Sequence, residues 1–305
     1  VLAAAVAVAA PAATPTMFET LRWTAPGAEL AALTSQPAAC PVFGLQDAAL
    51  VDAGQALFNS PALLGGQAAK AGLNCASCHV NGRDNAHFLL SGVSDQPGTA
   101  DVTNSFFSAA RGNGRFDPII IPDLAVPGKV SRDPAAGALE PFIRMLIVEE
   151  FSGREPTAAM LAALGAYIRA IQLCPGDGAR FVAHGLKDQL SLVNAALTGA
   201  ADMAERGEAQ TARALIAAAR HQLGLVSERY AGPALAPERA QLLGASRALQ
   251  RLGDQPITKT VFADAARRWH NDFDAKLAKR LLKQEPQSLY NSRNLGFVAL
   301  QRDNR

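Results

Sequence analysis

Residues 74–82 read "NCASCHVNG". Two cysteines, Cys75 and Cys78, stand three positions apart, and His79 follows the second at once. Two thiols and an imidazole therefore fall within five residues. What this cluster holds decides how the rest of the chain is read.

C-x-x-C-H is the attachment signature of c-type haem. Two thiols at this spacing can form thioethers with the two vinyl groups, and the adjacent imidazole is placed to bind the iron. A redox dithiol would need a thioredoxin-like βαβ setting, and the flanks show none. Zinc would need a second ligand pair, and neither another C-x-x-C nor an H-x-x-x-H occurs. The reading is one covalent haem c, with Cys75 and Cys78 as thioether donors and His79 as the proximal iron ligand.

The chain around this motif has 305 residues, 49% of them hydrophobic, enough for two domains. Its net charge of +2 hides an asymmetry. Residues 1–178 hold 10 Lys/Arg against 15 Asp/Glu, and residues 179–305 hold 19 against 12. An acidic stretch followed by a basic one predicts two units with different surfaces. The opening "VLAAAVAVAAPAA" (1–13) reads as the tail of a secretory signal peptide, with cleavage near Ala10–Ala13. That predicts a periplasmic or otherwise exported protein. No later run of 18 apolar residues predicts a transmembrane span, and an exported location disfavours nucleic acid as a partner. Cys40 ("PAACPVF") and Cys174 ("IQLCPGD") each precede a proline at an edge of the first half. Export permits a disulfide between them; two unrelated buried thiols is the other reading.

Residues 14–45 are rich in Pro and Ala and are expected to wrap the surface. A helix is expected over 47–59, with Leu50, Ala53, Leu57 and Phe58 on one face. Turn punctuation fills 81–137. A helix over 139–151 takes Pro141 in its first turn, and another over 154–173 takes Thr157 as N-cap. "CPGDG" (174–178) breaks the chain. Helices are then expected near 181–199, 201–230, 237–252 and 258–284. "ARRWHNDFDAKLAKRLLK" (266–283) sets Trp269, Phe273, Leu277 and Leu281 four apart, with bases on the other face, so it packs into a bundle. The expected architecture is all-α: a mono-haem domain over 46–178, then an antiparallel helical bundle over 179–305.

Three segments carry a family resemblance. They are "AGQALFNSPALLGGQAAKAGLNCASCH" (53–79), "GTADVTNSFFSAARGNGRFDPIIIPDL" (98–124) and "FIRMLIVEEFSGREPTAAMLAALGAYIRAI" (142–171). Together, over residues 45–173, they resemble the bacterial cytochrome c peroxidase family, which includes di-haem peroxidases and related haem oxidases. The resemblance implies a cytochrome c fold, with the roles just given to Cys75, Cys78 and His79. Di-haem peroxidases carry two C-x-x-C-H sites and this chain has one. No cysteine follows Cys174, so a second covalent haem is excluded, and an electron relay would need a redox partner protein.

The opposite side of the iron commonly takes Met or His, and neither occurs between Phe88 and Arg144. Met145, 66 residues past His79, is equally readable as ligand or core. Met160 and His87 read better as core, or for His87 as core or surface, than as ligands. If none binds, the site is open to a small ligand such as peroxide. "RGNGRFD" then offers Arg111, Asn113, Arg115 and Asp117 for the distal side or the haem propionates; a solvated turn is the alternative. Glu149 and Glu150 are adjacent and cannot both face one way, so one is expected to pair with a neighbour and the other to face solvent. His184, His221 and His270 show no metal-ligand spacing. Three functions follow as expectations: electron transfer, favoured because it needs least machinery; peroxidase-type chemistry at an open iron; and a haem-based sensor or partner-binding module that uses the basic half.

Overall fold

A computed structural model describes residues 18–42, 47–108, 110–175 and 180–299. The expected signal segment, 1–13, lies outside the described residues. The chain is mostly helical, with few strands. None of the described helices is long and apolar enough to cross a membrane.

In chain order, a 3-10 turn at Glu19–Trp23 leads to α1 (Glu29–Thr34) and β1 (Ser35–Pro37). Then come α2 (Ala48–Phe58), α3 (Gly66–Ala71) and α4 (Cys75–Cys78). A long loop region follows, interrupted by β2 (Thr99–Ala100) paired antiparallel with β3 (Ile119–Ile120). α5 (Leu139–Met145) continues into a π-helical turn, Leu146–Glu150, and α6 (Ala158–Ala170) follows. After β4 (Phe181–Ala183) the chain forms α7 (Leu186–Glu205), α8 (Ala209–Arg229) and α9 (Ala236–Asp254). It ends with α10 (Lys259–Trp269), a π-helical segment His270–Ala278, α11 (Lys279–Gln284) and α12 (Ser292–Ala299).

Local chemistry sets these boundaries. Asp47 caps α2 by accepting from the Ala49 N–H at 3.0 Å, and Thr157 caps α6 by accepting from Met160 N–H at 3.1 Å. The expected apolar faces are inside: Ala53, Leu57 and Phe58 of α2 meet Leu164, Tyr167 and Ile168 of α6 in one core. Phe58 and Tyr167 touch edge to face, with ring centres 5.2 Å apart. That core continues through Leu186, Val193, Leu215, Leu223 and Leu281, so both charge halves share it. Cys40 and Cys174 are joined by a disulfide, with Cα atoms 5.1 Å apart.

Three expectations need correcting. Residues 181–183 are a strand rather than helix, because β1 supplies their backbone partners, with Ser35 opposite Ala183. The helix starts only after Gly185, whose N–H donates to Asp188 Oδ2 at 2.8 Å. No break occurs at 199–201. Gly199 stays helical inside α7, and its missing side chain lets α7 approach α2: a Cβ on Gly199 would sit 2.9 Å from Ala53 Cβ. The break falls instead at Gly207, with φ +80°.

The N-terminal segment does more than wrap the surface. Phe18, Trp23 and Leu33 are buried, and the Arg229 guanidinium stacks over Phe18 while donating to the Leu33 carbonyl at 2.9 Å. The 258–284 helix is wound as π over His270–Ala278. A four-residue apolar spacing exceeds the roughly 3.6 residues of an α turn; the wider winding lets Phe273, Leu277 and Leu281 all stay buried.

Candidate functional site

The C-x-x-C part of the motif, α4, is a single helical turn with its own cap. The Asn74 N–H donates to Ser77 Oγ at 3.0 Å, and Ser77 is buried. Ser77 therefore fills the position between the cysteines for a structural reason. The turn sets Cys75 and Cys78 on one side, half-buried and unbridged. Cys75 packs on the main core, and Cys78 on a second cluster that includes Trp23, Leu64, Phe88, Phe107 and Ile121. Burial pushes both thiols up to about 12, the opposite of the low values that activate a redox dithiol.

His79 ends the turn, with its N–H on the Cys75 carbonyl at 2.9 Å. Its Nδ1 lies 3.1 Å from the Pro122 carbonyl oxygen. A carbonyl only accepts, so Nδ1 carries the proton and Nε2 keeps a free lone pair. Desolvation lowers the ring's pKa to about 4, which keeps it in the neutral, ligating form.

The Pro122 carbonyl is held by its neighbours. Arg83 Nε sits 2.8 Å from each oxygen of Asp123. The Leu124 N–H donates to the Gly82 carbonyl at 3.0 Å. Arg132 ties the same loop to α6, bonding the Leu124 carbonyl at 2.6 Å and the Ile168 carbonyl. The loop region that includes Pro122 also exposes Phe106, Phe116, Ile119, Ile120 and Val126. A haem c needs two thiols on one side, an imidazole with one nitrogen free, and apolar walls. The residues present fit that group.

The other sequence candidates do not converge on one point. His87 lines a cleft of about 160 Å³ with Ala76, Ser77, His184 and His221; Cys75, Cys78 and His79 do not line it. Met160 is buried in the core. The Met145 sulfur accepts from Arg111 Nη1 at 2.9 Å. Arg111 Nε lies 3.3 Å from Glu150 Oε2. Arg115 is exposed, and Asp117 accepts from Asn113 Nδ2 at 3.1 Å.

Glu150 is the surprise of this region. It is 1% exposed, its Oε1 has no partner, and burial raises its pKa despite Arg111. Its neighbour Glu149 is exposed near Arg144, so the adjacent pair divides between inside and outside as expected. The depth of Glu150 and the use of the Pro122 carbonyl left no mark in the sequence. Any residue offers a carbonyl, and the π turn at Leu146–Glu150 rotates Glu150 away from its α-helical direction.

Among the described residues, no group of three or more His, Cys, Asp or Glu side chains is placed to hold a bare metal ion. No family model, curated protein or solved structure matches the chain.

Proposed function

We propose that the chain is an exported c-type cytochrome with one covalent haem, passing electrons to or from a redox partner protein. The observation that carries this is His79, directly after two unbridged thiols, with Nδ1 engaged by Pro122 and Nε2 free. The crossing of α2 and α6 beside the motif supports the resemblance to the bacterial cytochrome c peroxidase family and a cytochrome c-like domain. The successive packing of α7 on α8 and α8 on α9 supports a helical bundle behind it. The Cys40–Cys174 disulfide supports an oxidising, exported location.

Bound haem supplies one-electron chemistry at its iron. The chain's own residues do the rest. Cys75 and Cys78 would hold the group covalently, each by adding its S–H across a vinyl double bond so that no atom leaves. His79 offers Nε2. The Pro122 carbonyl fixes the ring's tautomer and orientation and raises its basicity, as an outer-shell partner does for a ligating histidine. Met145 would offer its sulfur as a further ligand if it turned from Arg111.

A second reading, peroxidase-type chemistry with an open site, is favoured by one observation. The Met145 sulfur already accepts from Arg111, and the buried Glu150 beside that arginine keeps an unpartnered oxygen. Glu150 and Arg111 could then hold a proton and a charge next to a small ligand such as peroxide.

The test is mass spectrometry of the matured protein. One added porphyrin is expected, lost in Cys75→Ser/Cys78→Ser; no added mass overturns the proposal. Absorption spectra then separate the readings. A low-spin ferric spectrum that becomes high-spin in Met145→Ala supports the carrier. A high-spin ferric protein that reacts with peroxide, with the reaction slowed in Glu150→Gln, supports the enzyme.

A further inference from the structure

The last long helix stands off from α9 and leaves a groove of about 660 Å³ between them, with no cysteine in its lining. Pockets of roughly 300–1,000 Å³ with mostly apolar walls and a few placed polar groups are the usual form of small-molecule sites. The floor here is apolar, with Leu249, Leu252, Phe273 and Leu277 all buried. Trp269 stacks on Phe273, with ring centres 4.1 Å apart and planes 18° apart. The opposite wall is made of small residues, Gly244 and Ala248 among them, and a Cβ added at Gly244 would meet nothing within 4 Å.

The Trp269 indole N–H is buried and has no partner. Arg251 and Arg268 are exposed at the groove and have no hydrogen-bond or ion-pair partner among the described residues. The one lining carboxylate, Asp272, is already taken by Lys276 at 2.9 Å. The exposed Gln241 and Gln255 amides offer donors and acceptors alike, so the unpaired charge of the groove is positive and its buried unpartnered group is a donor, and the complementary occupant brings acceptors and negative charge on an apolar body.

From this juxtaposition of an apolar trough, an aromatic platform and two unpaired guanidiniums, we propose that the groove binds a single-chain amphipathic carboxylate of the fatty-acid type. The chain lies along the small-residue wall against Trp269 and Phe273, and the carboxylate meets Arg251 and Arg268. The π-wound segment serves this site because it keeps Trp269 and Phe273 stacked along one line. The site is independent of haem and of the electron-transfer reading.

The experiment is calorimetric titration of the haem-loaded full chain with decanoate below its micellar concentration. Uncharged 1-decanol and tailless acetate are the matched comparisons. One decanoate per chain is expected, with decanol about tenfold weaker and acetate without measurable binding. Arg251→Gln/Arg268→Gln brings decanoate down to the level of decanol. Gly244→Phe and, independently, Ala248→Phe fill the trough and abolish binding of both ligands, at unchanged thermal stability and haem spectrum. The proposal is overturned if both filled variants still bind decanoate like the parent, or if decanol equals decanoate. Binding only to vesicles containing anionic phospholipid overturns it in favour of a membrane surface. Self-association blocked by Gly244→Phe, without decanoate binding, overturns it in favour of a contact between copies.

Discussion

Arg83 Nε lies 2.8 Å from both carboxylate oxygens of Asp123, one residue beyond the carbonyl that meets His79. The side chains are 9% and 15% exposed, so this is a buried pair. Removing one partner of such a pair leaves an uncompensated charge, which typically costs about 3–5 kcal/mol. Asp123→Asn is therefore expected to lower unfolding free energy by about 3 kcal/mol, and to loosen the loop that presents the Pro122 carbonyl. Urea unfolding of parent and variant measures the first effect. A variant as stable as the parent would show that the pair contributes nothing net.

Gly54 is where α2 comes closest to α6. A Cβ on it would collide with the backbone carbonyl of Ala163 and with Tyr167 Cβ. Neither can swing aside as the tip of a flexible side chain could. Helix propensity favours alanine over glycine by roughly 1 kcal/mol, but overpacking of a fixed contact costs about 1–3 kcal/mol or more. Gly54→Ala is expected to destabilise by about 2 kcal/mol net or more, read as a lower melting temperature. A rise in melting temperature would mean that the helices separate without penalty.

These two sites show what the sequence carries and what it does not. The C-A-S-C-H run, the apolar face of α2 and the Thr157 cap are local patterns, and each could be read from a few consecutive residues. The Cys40–Cys174 pairing was open because two isolated cysteines say nothing about their distance in space. The Pro122 carbonyl, the Arg83–Asp123 pair and the glycine crossings at 54 and 199 depend on residues brought together from far along the chain. Gly199 reads locally as a helix end and is in fact a close approach between helices. Residues 181–183 were misread for the same reason: their partner strand lies at 35–37.

The Cys40–Cys174 disulfide closes a loop of 134 residues, tying the segment before α2 to the segment after α6. Chain-entropy arguments for a loop of that size give up to about 5 kcal/mol, and native strain or residual structure in the unfolded chain lowers the return. Cys40→Ser/Cys174→Ser is expected to lose about 3–4 kcal/mol. Guanidinium unfolding of the two proteins under non-reducing conditions measures it. Reduction of the parent should reproduce the loss, and an unchanged midpoint in both experiments would remove the disulfide from the stability account.

Glu19 and His221 face each other in the cleft that Ala76 and Ser77 of α4 also line, with Oε1 and Nε2 3.4 Å apart. Burial, then the nearby charge of Glu228, raises Glu19 from 4.5 to about 7. Between those values the folded chain holds a proton that the unfolded chain has released. The stability from Glu19 is therefore complete below about pH 4.5 and fades as pH rises towards 7. His221 runs the other way. Burial lowers its pKa from 6.5 to about 4, so its contribution is absent at low pH and grows as pH rises through that window. The two slopes oppose each other between about pH 4.5 and 6.5. Glu19→Gln removes the falling part, so its stability relative to the parent should climb by about 2 kcal/mol from pH 4.5 to 7. His221→Gln removes the rising part and should fall relative to the parent from pH 4 to 6.5. Urea unfolding at half-unit pH steps reads both differences, and titrating groups out of reach of the substituted side chain cancel. Two difference curves that stay flat across the window would show that neither side chain titrates with the folded state's altered affinity.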